Sequence, residues 1–133
     1  MSLFVPEIFP YQLFKGNFYP LINLFIRAKK DLPKRKILAL IDSGASMSIF
    51  QPDIAEELGI KIESGKPTSL QGVGGEIKGY IHTLTLEISQ KTINCPVVFS
   101  REYKVSVNLL GRDGFFHAFQ ITFNESKKQL SLL

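Results

Sequence analysis

The sequence contains no tryptophan, a single cysteine and no long hydrophobic run. Because Cys95 has no second cysteine to pair with, a disulfide cannot form within the chain, and this favours a reducing, cytoplasmic location. No apolar run approaches the roughly 18 residues that a transmembrane helix needs. The N-terminus also lacks the basic region and the small-residue cleavage site of a signal peptide. We therefore expect neither a membrane segment nor a secreted, disulfide-rich protein.

Motifs for metal, phosphate and serine-nucleophile chemistry are also missing. His82, His117 and Cys95 do not lie at metal-ligand spacing, so we expect structural histidines, a buried structural thiol and no metal or other cofactor. The glycine-rich GVGGE stretch lacks the Lys-Ser/Thr ending of a phosphate-binding loop. Neither Ser43 nor Ser46 stands in the G-x-S-x-G context of a nucleophilic serine. None of these classes of catalytic site is expected here.

The composition is that of one folded domain. The chain has 133 residues, of which 44% are hydrophobic and 21% charged. Its net charge of +4 comes partly from a basic segment at residues 27–36. Such a cluster can bind nucleic acid or acidic membrane, but no aromatic ladder or nucleic-acid motif accompanies it. We interpret the segment as a solvated hairpin loop and expect neither nucleic acid nor membrane as a partner, with nucleic-acid binding as a minor alternative.

Short apolar runs separated by glycine- and proline-rich breaks predict an all-β domain. Predicted strands lie at 17–28, 36–41, 47–50, 67–89 (a hairpin turning at 72–75), 92–100, within 105–119 and twice within 120–133. Pro52 and Gly59 suit the start and end of a short helix at 51–60, and another helical turn is expected within 105–119. We expect an irregular N-terminal arm at 1–16, then a small closed barrel at 17–133 with one or two short helices.

The clearest candidate for chemistry is Asp42, which ends the apolar run KILALI. Gly44 allows a bend there and lets other backbone come close. A second apolar run, VNLL, ends at Gly111-Arg112-Asp113, and a glycine-tipped hairpin lies between the two runs. An acid at a strand end, a hairpin and a second apolar-glycine element are the parts of a pepsin-type site, although Asp-Ser-Gly alone begins many ordinary turns.

Together these motifs resemble those of the retropepsins, the half-size aspartic proteases of retroviruses, retrotransposons and some cellular and bacterial proteins. ALIDSGAS resembles the family's catalytic motif, LQGVGGEIKGY resembles its flap, and VNLLGRDGF resembles the segment that begins its C-terminal helix. The three motifs occur in the family's order. The resemblance covers residues 18–133 of the chain.

The resemblance implies a retropepsin-like barrel with a flap hairpin and the activity of an aspartic endopeptidase on peptide or protein substrates. In this family two aspartates share one proton and activate a water, without a metal or cofactor. Since the chain holds one Asp-Ser-Gly, the second carboxylate would come from a homodimer. The implied site residues are Asp42, Ser43 and Gly44 for catalysis, Ala45, Ser46, Val73, Gly74 and Gly75 for substrate, and Gly111, Arg112 and Asp113 for structure.

One position departs from the retroviral pattern. Where Ser46 stands, retroviral members carry an acid that pairs with the arginine of the Gly-Arg segment, so Arg112 lacks that partner. In this respect the chain is closer to cellular and bacterial members. The N-terminal arm could join an interface sheet with the C-terminal QLSLL or cover the cleft. Two other interpretations stay open: an inactive module of this fold that dimerises or binds peptides, and an all-β domain in which Asp42 only caps a turn.

Overall fold

The computed structural model describes residues 5–72 and 74–133, and strands account for most of the regular structure in these residues. The strands are β1 Glu7–Pro10, β2 Gln12–Phe14, β3 Asn17–Tyr19, β4 Leu21–Arg27, β5 Arg35–Ile41, β6 Ser48–Phe50, β7 Lys66–Gly72, β8 Gly75–Ile88, β9 Lys91–Phe99, β10 Asn108–Leu110, β11 Ile121–Asn124 and β12 Gln129–Leu132. The helices are α1 Pro52–Glu57 and two 3-10 turns, Ile62–Ser64 and Phe116–Ala118. The predicted all-β class is confirmed.

Six strands close into a barrel in the order β4-β5-β10-β6-β9-β8, because β4 pairs with both β5 and β8. Two of the pairings, β5 with β10 and β6 with β9, are parallel, and the others around the barrel are antiparallel. The parallel pairings bring the ends of β5 and β10 to the same side of the barrel. β7 extends the sheet as the second strand of the hairpin with β8.

The core lies inside this barrel and follows the alternation of the sequence. Ile22, Leu24 and Ile26 point inward from β4 and are almost fully buried. Leu84, Leu86 and Ile88 do the same on β8, as their period-two spacing predicts. The rings of Phe50 and Phe99 add an edge-to-face contact with centroids 6.3 Å apart.

The N-terminal region differs from its prediction. Residues 7–10 and 12–14 form strands, so the expectation of an irregular arm is wrong for this part of the chain. β2 pairs with β3 across the two-residue turn Lys15-Gly16, in which both residues have positive φ. The predicted strand at 17–28 is divided by Pro20, which cannot donate to a strand ladder and separates β3 from β4.

Helix α1 starts with Pro52 as predicted but ends at Glu57, and Gly59 takes the left-handed conformation just beyond it, with φ of +73°. A three-stranded sheet, in the order β1-β12-β11, lies outside the barrel. Through it the N-terminal residues pair with the C-terminal strand of the same chain. Within the described residues, no helix is long and apolar enough to cross a membrane.

Candidate active site

Asp42 directly follows β5, and its position is fixed by the neighbouring parallel strand. Ile41, the last residue of β5, lies opposite Leu110, the last residue of β10. The backbone N–H of Asp42 continues the ladder and donates to the carbonyl oxygen of Leu110 at 3.0 Å. The half-buried carboxylate therefore leaves the sheet at the point where β5 and β10 end together.

The turn after Asp42 is held by the aspartate itself. Its Oδ1 accepts a hydrogen bond from the N–H of Gly44 at 2.9 Å, and its carbonyl oxygen accepts one from the N–H of Ala45 at 3.2 Å. A Cβ on Gly44 would lie only 3.3 Å from Asp42 Oδ1. The absence of a side chain at Gly44 thus lets the carboxylate fold back onto the turn. Ser43 and Ser46 are exposed on this loop.

The Gly111–Asp113 segment lies directly against the Asp42 loop, as the sequence interpretation requires. The N–H groups of Arg112 and Asp113 donate to the carbonyl oxygens of Ala45 and Ser46, both at 2.9 Å. A Cβ on Gly111 would lie 2.5 Å from the carbonyl carbon and oxygen of Met47. Because these are backbone atoms, only glycine fits at position 111 without moving the loop.

Ser48 stabilises the contact between the Asp42 loop and the Gly111–Asp113 segment. It is fully buried, and its Oγ accepts a hydrogen bond from the N–H of Gly111 at 3.0 Å. The same Oγ lies 3.8 Å from Sγ of Cys95, which is the buried structural thiol predicted from the sequence. Burial, with a smaller contribution from the charge of Asp113, raises the pKa of the Cys95 thiol to about 11. Cys95 is therefore a neutral packing residue and not a nucleophile at ordinary pH.

Asn108 is a supporting residue that the sequence interpretation missed. Its amide nitrogen donates to the carbonyl oxygen of Leu38 at 2.9 Å, and its Oδ1 accepts from the N–H of Gln51 at 2.8 Å. The buried side chain thereby ties β10 to β5 and to the start of α1. The sequence feature that could have revealed this role is an asparagine inside the apolar run VNLL, because a buried amide needs hydrogen-bond partners.

An open cleft of about 580 Å³ begins at the Asp42 loop and runs under the β7–β8 hairpin. Its lining includes the predicted residues Gly44, Ala45, Ser46, Gly74 and Gly75. Its other lining residues are Met47, Ile49, Leu70, Gln71, Ile77, Glu102, Tyr103, Lys104, Val105 and Leu109. Val73, also predicted for the tip of the hairpin, lies outside the described residues. The apolar side chains from both walls make the cleft suitable for apolar groups.

Tyr103 is the second residue that the sequence did not reveal. It is 9% exposed, packs with Ile49 and Val98, and its OH donates to the carbonyl oxygen of Val107 at 2.7 Å. Burial and the negative charge of Asp42 raise the pKa of Tyr103 to about 12. The side chain thus stays neutral, and its hydrogen bond to Val107 closes the segment 103–107, in which Val105 also lines the cleft.

The hairpin above the cleft is a regular ladder up to its tip. β7 and β8 pair residue by residue from Lys66 with Ile81 to Gly72 with Gly75. Gly75 has φ of +106°, a conformation that side-chain-bearing residues rarely adopt, and no atom lies within 4 Å of a Cβ placed there. The geometry of this hairpin is that of a thin projection over an open cleft.

Arg112 and Asp113 are both exposed. Within the part of the chain that the structure describes, the guanidinium of Arg112 has neither a side-chain hydrogen bond nor an ion pair. Groups of three or more potential metal ligands are likewise absent from residues 5–72 and 74–133. His82 is a structural histidine whose Nε2 lies 2.8 Å from the carbonyl oxygen of Ile62.

Three of the six basic side chains in the segment at 27–36 make local contacts. Arg27 pairs with Glu87 at 2.8 Å, Arg35 forms an ion pair with Glu57, and the Nζ of Lys34 lies 4.4 Å from the centre of the Phe25 ring. These contacts favour the interpretation of this segment as a hairpin connection between β4 and β5.

Comparison with known proteins agrees with this geometry. The aspartyl protease family model matches residues 31–113, which include both the Asp42 loop and the Gly111–Asp113 segment. A retropepsin-like aspartic protease from Rickettsia conorii superposes with a TM-score of 0.70 and 22% identity, over 99% of this chain and 96% of that one. EIAV protease, solved with the inhibitor HBY-793, gives a TM-score of 0.55 and 19% identity, over 76% of this chain and 88% of that one.

No match was found among curated proteins. At these identities the two solved structures establish the fold, and the predicted retropepsin-like barrel is confirmed.

Proposed function

Because the chain belongs to the aspartyl protease family and has a retropepsin-like fold, we propose that it is an aspartic endopeptidase whose catalytic carboxylates are two copies of Asp42. The observation that carries the proposal is the position of Asp42. It leaves the sheet where two parallel strands end, on a loop fastened by backbone hydrogen bonds to Gly111–Asp113, beside an apolar cleft. Such fixed geometry is what a catalytic carboxylate requires.

One chain supplies one such carboxylate. Among the described residues, the side chain of Asp42 accepts a hydrogen bond only from the N–H of Gly44, and no second carboxylate bonds to it. A twofold homodimer would bring a second Asp42 to the symmetry axis without any further residue. We therefore propose the homodimer as the catalytic unit.

The pair of aspartates would act on one water. Two carboxylates a few ångströms apart do not both ionise at acceptable cost, so the pair retains one proton. The ionised carboxylate takes a proton from the water as it attacks the scissile carbonyl carbon. The protonated carboxylate donates to the carbonyl oxygen and stabilises the developing negative charge.

The surrounding residues are assigned supporting roles. Ser43 would hydrogen-bond across the dimer beneath the aspartates, and Gly44 leaves room for the substrate backbone in an extended conformation. Gly74 and Gly75, with Val73 between the two described segments, would form the tip of a flap over the substrate. Arg112, without a partner within the described chain, is free to contact either substrate or the second subunit.

The cleft favours apolar substrate side chains. Ile49 and Leu109 line it from the barrel, and Leu70 and Ile77 line it from the hairpin. We propose that the enzyme cleaves peptides in which apolar residues flank the scissile bond.

The lone buried thiol of Cys95 is compatible with a reducing location, which we propose to be the cytoplasm. The division of the chain into an N-terminal arm at 1–16 and a protease domain at 17–133 stays a prediction.

The test is peptide cleavage by the Asp42→Asn variant. Asparagine keeps the shape of the side chain but cannot ionise, so cleavage of peptides with apolar residues on both sides of the bond should fall by at least about 10³-fold. Wild-type cleavage should be fastest at mildly acidic pH, since the pair loses its shared proton as the pH rises. Asp53→Asn, on the exposed first turn of α1, is the matched control and should cleave normally.

Unchanged cleavage by a folded Asp42→Asn protein would contradict the proposal. A wild-type protein that forms dimers and binds apolar peptides without cleaving them would instead establish the inactive peptide-binding module.

A further inference from the structure

One wall of the cleft is formed by residues 100–107, the irregular connection between β9 and β10. This wall contributes the lining residues Glu102, Tyr103, Lys104 and Val105. Of the described residues that line the cleft, Glu102 and Lys104 are the two with charged side chains, and both are exposed. Charge in an otherwise uncharged lining is therefore concentrated on this wall.

Hydrogen bonds to side chains hold the backbone of the wall in place. The hydroxyl oxygen of Ser100, which is fully buried, accepts a hydrogen bond from the N–H of Glu102 at 3.1 Å. The same hydroxyl donates to the carbonyl oxygen of Lys78 on β8. Nε2 of Gln51 donates to the carbonyl oxygen of Val105 at 3.2 Å. The stretch 102–105 is thus anchored at both ends, and its side chains project from fixed positions.

The two charged side chains of the wall differ in the contacts that they already make. Nζ of Lys104 donates to the carbonyl oxygen of Arg101 at 3.3 Å. The carboxylate of Glu102 has neither a hydrogen bond nor an ion pair within residues 5–72 and 74–133. The neighbouring guanidinium of Arg101 is paired with Glu63 at 2.7 Å and with Glu56 at 3.6 Å. The carboxylate of Glu102 is therefore the charge on this wall that remains available to a bound molecule.

The surface beside this carboxylate favours one sign of charge on that molecule. Val105, on the same wall, is 51% exposed and lines the cleft. The hydrocarbon stem of a lysine or arginine can cover such apolar surface while its charged head reaches a carboxylate. An acidic side chain has a shorter stem and would bring a second negative charge to Glu102. The wall is therefore suited to a basic side chain.

We propose that Glu102 selects substrates that carry a lysine or arginine at an outer position, meaning outside the two apolar residues that flank the scissile bond. This inference rests on the proposed function, because it assigns a substrate class to the same cleft. The carboxylate accepts charge-assisted hydrogen bonds from the ammonium or guanidinium group of the substrate. Glu102 is thus a specificity-determining residue that takes no part in bond cleavage.

The proposed homodimer doubles this effect. Each subunit presents one such wall, so a peptide bound across the twofold axis meets one Glu102 on each side of the scissile bond. A basic residue should therefore favour cleavage from either side of the bond, and two basic residues should favour it more than one.

The first measurement is kcat/KM for matched peptides. All peptides share the same apolar residues at the scissile bond and differ only in having lysine, glutamine or glutamate at the outer positions. For the wild-type protein, kcat/KM should fall in that order, with the lysine peptide about three- to tenfold above the glutamate peptide. This ratio should shrink as salt is added, because salt screens exposed charges.

Substitution of Glu102 tests whether this side chain is responsible. Glu102→Gln should bring kcat/KM for the three peptides close together, and Glu102→Lys should reverse their order. Both variants keep the backbone N–H that bonds to Ser100. Glu125→Lys makes the same change of charge on the exposed turn between β11 and β12, outside the cleft, and should leave the order unchanged.

Substitution of Lys104 tests which of the two charges is recognised. Lys104→Gln removes a positive charge from the wall and should widen the preference for the lysine peptide. If the wild-type protein preferred the glutamate peptide, and Lys104→Gln removed that preference, Lys104 would be the recognising residue and the inference would be overturned.

Binding of the same peptides to the Asp42→Asn variant, measured by fluorescence anisotropy, separates this inference from the proposed function. Cleavage that depends on Asp42 but shows the same peptide order with and without Glu102 would overturn the inference alone. A protein that binds the lysine peptide most tightly through Glu102, but cleaves none of the peptides, would support the inference and overturn the proposed function. A protein that neither binds nor cleaves any of the peptides would overturn both.

Discussion

The Asp42 loop and the tip of the β7–β8 hairpin both depend on glycine, but for opposite reasons. At Gly111, behind the Asp42 loop, an added Cβ would meet the backbone of Met47 at 2.5 Å. At Gly74 and Gly75 no atom lies within 4 Å of an added Cβ. Glycine thus allows backbone segments to pack closely at one end of the cleft and permits an unusual conformation in open space at the other. The contrast indicates that the Asp42 loop is held by close backbone packing, whereas the tip of the hairpin has no packed neighbours at these two glycines.

Among substitutions of these glycines, the largest effect is expected at Gly111. Gly111→Ala forces the Asp42 loop away from β10, because the new methyl group collides with backbone that cannot rotate aside. We expect the free energy of unfolding to fall by about 2–3 kcal/mol and cleavage to fall by at least about 100-fold. Chemical denaturation and peptide cleavage measure the two effects.

The same substitution at Gly74 is the control for this prediction. Gly74 adopts no left-handed φ and has free space around it, so Gly74→Ala should leave the free energy of unfolding almost unchanged. If Gly111→Ala were as stable and as active as Gly74→Ala, the close backbone packing behind Asp42 would not matter for the site.

A smaller effect is expected at Gly75. Gly75→Ala places a side chain at φ of +106°, which costs about 1–2 kcal/mol in that conformation. Since the tip is exposed, we expect it to relax locally, with little loss of global stability but a several-fold rise in KM. Steady-state kinetics measures the rise in KM, and thermal unfolding measures the change in global stability. A Gly75→Ala protein that loses global stability as strongly as Gly111→Ala would show that the tip is a packed part of the fold.

Much of this site could be predicted because its residues carry strong local signals. An acid after the apolar run KILALI, followed by Gly44, and a second run ending at Gly111 are visible in the sequence. The structure places these segments in direct hydrogen-bond contact. Period-two alternation likewise predicted the long strand β8, on which Leu84, Leu86 and Ile88 are buried in the core.

The features that escaped prediction depend on contacts distant in sequence. Asn108 is important because it bridges Leu38 and Gln51, and nothing within VNLL reveals those partners. Tyr103 approaches the charge of Asp42 from a segment without regular structure. β1 was missed because its pairing partner, β12, lies at the other end of the chain. Strand pairing of this kind leaves little trace in local composition.

The most direct test of the central claim is a mixing experiment with wild-type protein and the Asp42→Asn variant. If each active site needs Asp42 from two chains, an equal mixture that has exchanged subunits should retain about one quarter of the activity of the same total amount of wild type, because only that fraction of dimers contains two aspartates. If each chain acted alone, the mixture would retain about one half. The two-chain site predicts the lower value, and the higher value would contradict it.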